Sequence, residues 1–138
     1  MTTGLRRRSR EAAMKALFQM QVVEDPVEPV VAAMQADPAL PEDVSGYAAH
    51  LVTLFHLNHE EIDAAISAAL DKWELKRVAQ VDLAILRVAA TELLHAPDVP
   101  PRVAMDEAVE IAGRYGSHQS GAFVNGVIDR LARTHREF

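Results

Sequence analysis

Cationic and aromatic side chains share one face of the first predicted helix, which runs from Leu5 to about Val23. When the residues are placed at 100° steps, Ala13, Leu17 and Met20 form an apolar stripe. The side away from this stripe carries the following residues: Arg7, Arg8, Glu11, Met14, Lys15 and Phe18. Cations that hold phosphates beside a ring that stacks on a base are typical of surfaces that bind single-stranded nucleic acid.

A purely structural interpretation fits the same face. The spacing of Arg7, Glu11 and Lys15 also allows a ladder of i,i+4 ion pairs along the helix. In this interpretation Phe18 packs on a neighbouring helix. The pattern alone leaves both interpretations open.

The charge of the chain is divided unevenly along its length. The formal net charge is −6 at pH 7, from 14 basic and 20 acidic residues. Glu11 is the one acidic residue within residues 1–15, which also contain five cations, named here the basic tip: Arg6, Arg7, Arg8, Arg10 and Lys15. A local positive potential attracts anionic ligands even when the total charge is negative. A solvated tail that raises solubility is the alternative role for such a segment.

Composition and motifs exclude several classes of site. The chain has 138 residues and no cysteine, so disulfides, thiolate metal sites and cysteine nucleophiles are absent. No apolar run approaches the roughly 20 residues of a membrane span, which favours a cytoplasmic protein. The sequence contains no P-loop, Rossmann or GxSxG pattern, and His56 and His59 lack the spacing of a zinc-protease helix. We therefore predict no catalytic residues, no metal and no cofactor.

Helical periodicity extends along the chain, and no stretch alternates with a period of two. The patterns predict an all-α fold of six or seven helices. Residues Val81–Leu94 are apolar at ten of 14 positions, which predicts a central helix surrounded by protein. Asn58 and Asp82 are predicted N-caps.

Two cap residues are also predicted in the last third of the chain. Pro100 and Pro101 introduce a helix that begins between Pro101 and Asp106. Gly116 is predicted to end this helix in the left-handed conformation, and Ser120 is predicted to cap the last helix.

Three blocks of the sequence resemble the NusB family of transcription antitermination factors. They are RRRSREAAMKALFQMQ at residues 6–21, QVDLAILRVAATELL at 80–94, and DVPPRVAMDEAVEIAGRYG with SGAFVNGVIDRLAR within 98–133. The resemblance implies about seven helices in two small packed bundles. It also implies a single RNA-binding domain over 1–138, with subdomains at approximately 1–58 and 59–138.

The resemblance further implies a function and its partners. A member of this family binds boxA RNA of ribosomal RNA leaders jointly with the ribosomal protein NusE, within the antitermination complex on RNA polymerase. The implied RNA contacts are Arg6, Arg7, Arg8, Arg10, Lys15, Phe18, Gln119, Ser120 and Phe123. The implied NusE contacts are Asp82 and Arg77.

The sequence departs from the family pattern near its second implied RNA contact. Gln119 stands where an acidic residue is usual, and Gly121 and Ala122 replace a more polar pair. This predicts that RNA binding depends more heavily on the basic tip.

Other roles remain open for a chain of this family type. One is a module acting in ribosomal RNA maturation, and another is a homodimer that masks its own arginines. NusB-like domains also precede RNA cytosine methyltransferases, but this sequence has no cysteine to act in that chemistry.

Overall fold

The computed structural model describes residues 2–71 and 74–137, and this part of the chain is helical without strands. The helices are α1 (Thr2–Val23), α2 (Val27–Ala36), α3 (Glu42–Leu57), α4 (His59–Ala69), α5 (Gln80–His95), α6 (Pro101–Tyr115) and α7 (Ser120–His135). A short 3-10 turn at Leu75–Arg77 precedes α5. The predicted all-α fold is confirmed.

Three of the helices begin immediately after a proline. Pro26, Pro41 and Pro100 occupy the N-cap positions of α2, α3 and α6, with φ between −56° and −65° and extended ψ values. The pyrrolidine ring fixes φ near these values, so each proline sets the direction in which its helix starts. The segment after Pro100 begins a helix at Pro101, at the early end of the predicted interval.

Helix α5 is the centre of the core, as its sequence predicts. Eleven of its 16 residues are buried. It packs against α1, α3, α4, α6 and α7. Helix α1 lies across α2 and α3 as well as α5, so its outer face is positioned from three directions. The division into subdomains near residue 58 stays a prediction.

Three of the four predicted helix caps needed correction, and the fourth, Asn58, has its predicted position but a different hydrogen bond. Asp82 is not the N-cap of α5, because Ala79 occupies that position and Asp82 lies within the first turn. Asn58 occupies the N-cap of α4, but its side-chain amide donates a hydrogen bond backward to the carbonyl of Leu54 at 2.8 Å. It therefore stabilises the end of α3.

The two caps predicted in the turn between α6 and α7, Gly116 and Ser120, also differ from the structure. Gly116 has φ −93° and ψ −169°, which is extended and not left-handed. A Cβ atom at Gly116 would lie 2.4 Å from Ser120 Oγ, so close packing is what requires glycine here. Ser120 is the first residue of α7 rather than its N-cap, and its hydroxyl accepts a hydrogen bond from the Ser117 N–H at 2.9 Å. The serine thus fastens the turn to the helix that follows.

Candidate nucleic-acid interface

Arg6 is an exposed arginine of the basic tip that stacks on an aromatic ring. It is exposed, and its guanidinium carbon Cζ lies 3.7 Å from the centroid of the Tyr47 ring. Stacking of this kind holds the guanidinium plane against the ring and leaves its N–H edge open to solvent. Arg6 can therefore offer hydrogen-bond donors to an anion.

Arg7 reaches from α1 to α6. Its Nε donates to both carboxylate oxygens of Glu107 at 3.2 and 3.1 Å, and its Nη2 forms an ion pair with the same carboxylate. Glu110 lies at the edge of ion-pair range, 4.0 Å from Nη1. The hydrogen bond with Glu107 is the main cause of a raised pKa for Arg7. The Arg7 side chain keeps a quarter of its surface exposed, so it stays accessible while it is paired.

Arg10, another predicted RNA contact, is buried. Only 4% of the residue is exposed. Its Nε donates to the two oxygens of Glu92 at 2.8 and 3.0 Å, and its Nη1 donates to Glu107 at 3.2 Å. Burial lowers the pKa of Arg10, but the hydrogen bond and charge of Glu92 outweigh burial and raise it overall. The guanidinium lies in the interior, where its ion pairs connect α1 to α5 and α6.

Tyr47 completes this buried network from α3. Its hydroxyl donates to Glu92 Oε2 at 2.5 Å. Burial, followed by the hydrogen bond and charge of Glu92, raises the pKa of Tyr47 above its ordinary value. The phenol is therefore neutral and acts as a donor, and the network links four helices beneath the exposed arginines.

Arg8 and Lys15 are the other exposed cations of the basic tip. Arg8 Nη2 lies 3.4 Å from the Ala39 carbonyl, at the limit of hydrogen bonding. Lys15 Nζ lies 5.1 Å from the centroid of the Tyr115 ring on α6. Together with Arg6, these residues leave three positive charges of α1 exposed.

The structure answers the question of the ion-pair ladder. Glu11 accepts a hydrogen bond from Arg114 Nη1 at 2.8 Å, and Arg7 pairs with Glu107. Both of these pairs join α1 to α6, so the charges connect two helices rather than running along one. Met14 is also not on an outward face as predicted, because it is only 3% exposed and belongs to the core.

Phe18 lies where the two predicted contact regions meet. It is half-buried and packs against the core, as the structural interpretation predicted. It also lines a groove of about 250 Å³ together with Tyr115, Gly116 and Ser120. Helix α1 and the turn before α7 therefore form one continuous surface with two aromatic rings at the groove.

Residues 116–123 form the second predicted contact region, here called the rim. Gln119 is exposed and Phe123 is half-buried against the core. Ser120, also a predicted RNA contact, is only 2% exposed, and its hydroxyl is engaged with Ser117. The rim carries no Lys or Arg, so its contribution to an RNA surface is shape and neutral polarity.

Asp82 and Arg77, the predicted partner contacts, lie on either side of the start of α5. Asp82 is 9% exposed and lines the same groove as Phe18. Its Oδ1 is the single buried side-chain oxygen or nitrogen in the described part of the chain that lacks a hydrogen-bond partner. Arg77 is exposed in the 3-10 turn.

Sequence reasoning missed three residues that shape this surface. Tyr47 and Tyr115 stand among apolar residues in the sequence, yet the Tyr47 ring stacks on Arg6 and Tyr115 is 38% exposed beside Lys15. Arg114, whose side chain is 53% exposed, adds a cation from α6. A tyrosine in a helical stripe signals a polar end that needs a partner, but its partner is invisible without the fold.

Other kinds of site find little support within residues 2–71 and 74–137. No three His, Asp or Glu side chains there are grouped as metal ligands. None of the helices in those ranges is long and apolar enough to cross a membrane.

Comparison with known proteins places this surface in a family context. The model of the NusB family matches residues 7–133. The chain belongs to the NusB family. The transcription antitermination protein NusB of Sorangium cellulosum is 42% identical over 129 residues, which covers 94% of this chain and 92% of that protein. The family match spans the rim and all of the basic tip except Arg6.

Solved NusB structures share the fold. The NusB of T. maritima superposes with a TM-score of 0.87 at 40% identity, covering 96% of this chain and 93% of that one. A structure of antitermination factors NusB and NusE in complex with dsRNA matches with a TM-score of 0.80, covering 94% of this chain and 97% of that one. Its identity is 24%, so that likeness shows the fold alone.

Proposed function

We propose that this NusB-family chain is a transcription antitermination factor that binds boxA RNA of ribosomal RNA leaders together with NusE, in the antitermination complex on RNA polymerase. The observation that carries the proposal is the exposure of Arg6, Arg8 and Lys15 on α1 in an otherwise acidic chain. Membership of a family whose relatives are named transcription antitermination proteins supports it. The protein acts as an adaptor without catalysis, in the cytoplasm where bacterial transcription takes place.

The basic tip supplies the electrostatic part of RNA binding. Arg6, Arg7, Arg8 and Lys15 neutralise phosphates, because their guanidinium and ammonium groups reach the surface. Arg10 supports them from below through Glu92 and Glu107. Arginine suits this task because its planar fork matches the geometry of a phosphate.

The groove and the rim supply the less charged contacts. Phe18 and Phe123 are half-buried aromatic rings whose free faces stack on unpaired bases. Gln119 is exposed and has both a donor and an acceptor on its amide. Ser120 holds the turn that presents these residues and makes no contact of its own.

NusE docks at the start of α5 in this proposal. A buried carboxylate oxygen without a hydrogen-bond partner is costly, and a donor from a docked protein would relieve that cost. Asp82 Oδ1 is such an oxygen, and Arg77 adds an exposed charge in the preceding turn. NusE therefore completes the RNA surface from the side of the groove.

The test is binding of a boxA RNA oligonucleotide with and without purified NusE, read by fluorescence anisotropy. NusE should tighten binding by the wild-type chain, and Asp82→Ala should reduce this enhancement while leaving binding without NusE unchanged. Arg133→Ala, which removes a cation from α7 paired with Asp129 of its own helix, is the matched control and should change neither value. Equal affinity with and without NusE would contradict the adaptor mechanism.

A further inference from the structure

Tyr47 joins the buried network to the exposed surface of the basic tip. Its hydroxyl donates to Glu92 Oε2 at 2.5 Å, and Glu92 is itself 1% exposed and held by Arg10 Nε at 2.8 Å. A short hydrogen bond to a charged and immobilised acceptor fixes the rotation of the phenol. The ring of Tyr47 is therefore a rigid platform at the edge of the core.

Arg6 rests on that platform. The 3.7 Å separation between Arg6 Cζ and the ring centroid is contact distance for a stacked guanidinium. In the described part of the chain no carboxylate forms an ion pair with Arg6, in contrast to Arg7 and Arg10, which share Glu107. The flat face of the Arg6 guanidinium thus contacts the tyrosine ring, and its N–H edge stays open to a ligand.

Such an arrangement favours binding because a free arginine side chain loses rotamer entropy when a phosphate immobilises it. Ordering a long, flexible side chain costs free energy on association. A guanidinium that is already stacked has lost part of that freedom before RNA arrives. Its N–H donors remain available, since stacking uses the flat face of the guanidinium and not its edge.

We propose that Tyr47 is a positioning residue that holds Arg6 in its RNA-binding orientation. Tyr47 does not touch RNA itself in this inference, and it acts on affinity only through Arg6. The inference rests on the proposed function, because it requires an RNA phosphate at Arg6. It gives α3, which lies outside both the basic tip and the rim, a part in RNA recognition.

A double-mutant cycle between Tyr47 and Arg6 tests the inference, with boxA RNA as the probe. Tyr47→Leu removes the ring and should weaken binding about two- to fivefold, the range expected for an exposed cation–π contact. Tyr47→Phe keeps the ring but loses the hydroxyl, and should retain most of the affinity. In an Arg6→Ala background, Tyr47→Leu should cause no further loss. Each variant is compared at a temperature where circular dichroism shows it folded.

A merely structural role for Tyr47 gives a different pattern. Tyr47→Leu would then weaken binding equally with and without Arg6, and that result would overturn the inference. Unchanged affinity in Tyr47→Leu, with Arg6→Ala still harmful, would overturn it and leave the proposed function intact. Failure of the wild-type chain to bind boxA RNA would instead reject the proposed function.

A measurement on the wild-type chain covers the case in which Tyr47→Leu does not fold. The side-chain protons of Arg6 lie over an aromatic ring and should resonate upfield in the NMR spectrum, both free and bound to boxA RNA. Arg8, which stacks on no ring in the described structure, is the internal control. Arg6 signals at ordinary positions, or an upfield shift lost on RNA binding, would overturn the inference.

Discussion

The basic tip of α1 and the rim at the start of α7 are built in opposite ways. The tip places charge at the surface and anchors it with a buried network of Arg10, Glu92 and Glu107. The rim has no cation, and its residues fasten a tight turn. One surface can therefore combine a region that supplies electrostatic attraction with another that supplies only shape.

The largest expected effect is on the anchor of the tip. Arg10→Ala would leave Glu92, 1% exposed, and Glu107, 5% exposed, without a buried cation between them. Breaking a buried ion pair from one side costs about 3–5 kcal/mol. Urea unfolding followed by circular dichroism should therefore show a loss of this size. The exposed cation of Arg133 offers the control, and Arg133→Ala should cost less than about 0.5 kcal/mol.

An equal cost in the two variants would show that the buried network does not stabilise the tip. The basic tip would then be no more firmly anchored than an ordinary surface.

The rim should respond to a change of shape and not of charge. In Gly116→Ala the new Cβ would meet Ser120 Oγ at 2.4 Å and the Ala112 carbonyl oxygen at 2.9 Å. Overpacking of this kind costs about 1–3 kcal/mol. Gly113→Ala in the same helix meets nothing within 4 Å and should be neutral or stabilising by up to about 1 kcal/mol. If thermal unfolding ranks the two variants the other way, the turn is not as tightly packed as described.

RNA affinity should separate the tip from the rim directly. Arg6→Ala removes one exposed guanidinium and should weaken binding of boxA RNA about tenfold, which corresponds to about 1.4 kcal/mol. Gln119→Ala removes an exposed neutral side chain and should change the affinity by less than about threefold. Anisotropy titrations at one low salt concentration give both values. A larger loss in Gln119→Ala than in Arg6→Ala would reverse the assignment of the two regions.

The smallest effect concerns the pH dependence of the network beneath the tip. The pKa of Tyr47 is raised in the folded chain by burial and by Glu92, so the folded state keeps the phenolic proton longer than the unfolded state does. Its contribution to stability is fully present below about pH 10, the ordinary tyrosine pKa, and is lost as the pH rises toward the folded value. Urea unfolding above pH 10 should fall more steeply in wild type than in Tyr47→Phe. Parallel curves would show that Tyr47 is not held by Glu92.

Much of the fold was predictable because helical periodicity repeats over long segments. The apolar pattern of α5 marked it correctly as the central helix. Caps were less predictable, since Asp82 and Ser120 have capping side chains but lie one or more residues inside their helices.

The sequence did not predict which cations of the basic tip are exposed and which are buried. Arg6 and Arg10 lie one helical turn apart and look equivalent in a basic segment. Their environments differ because Glu92 and Glu107, more than 80 residues away in the chain, meet Arg10 and not Arg6. Partners that distant are brought together only by the packing of α1 on α5 and α6, which no local pattern encodes.

The salt dependence of boxA RNA binding measures how many phosphates the basic tip neutralises. If Arg6, Arg7, Arg8 and Lys15 neutralise about four phosphates, log K should fall against log[salt] with a slope of roughly −3. The double variant Arg6→Ala/Arg8→Ala should reduce the slope to roughly −1.5, while Gln119→Ala should leave it unchanged. A slope near zero in the wild-type chain, or the same slope in the double variant, would contradict the account that the basic tip supplies the attraction for RNA.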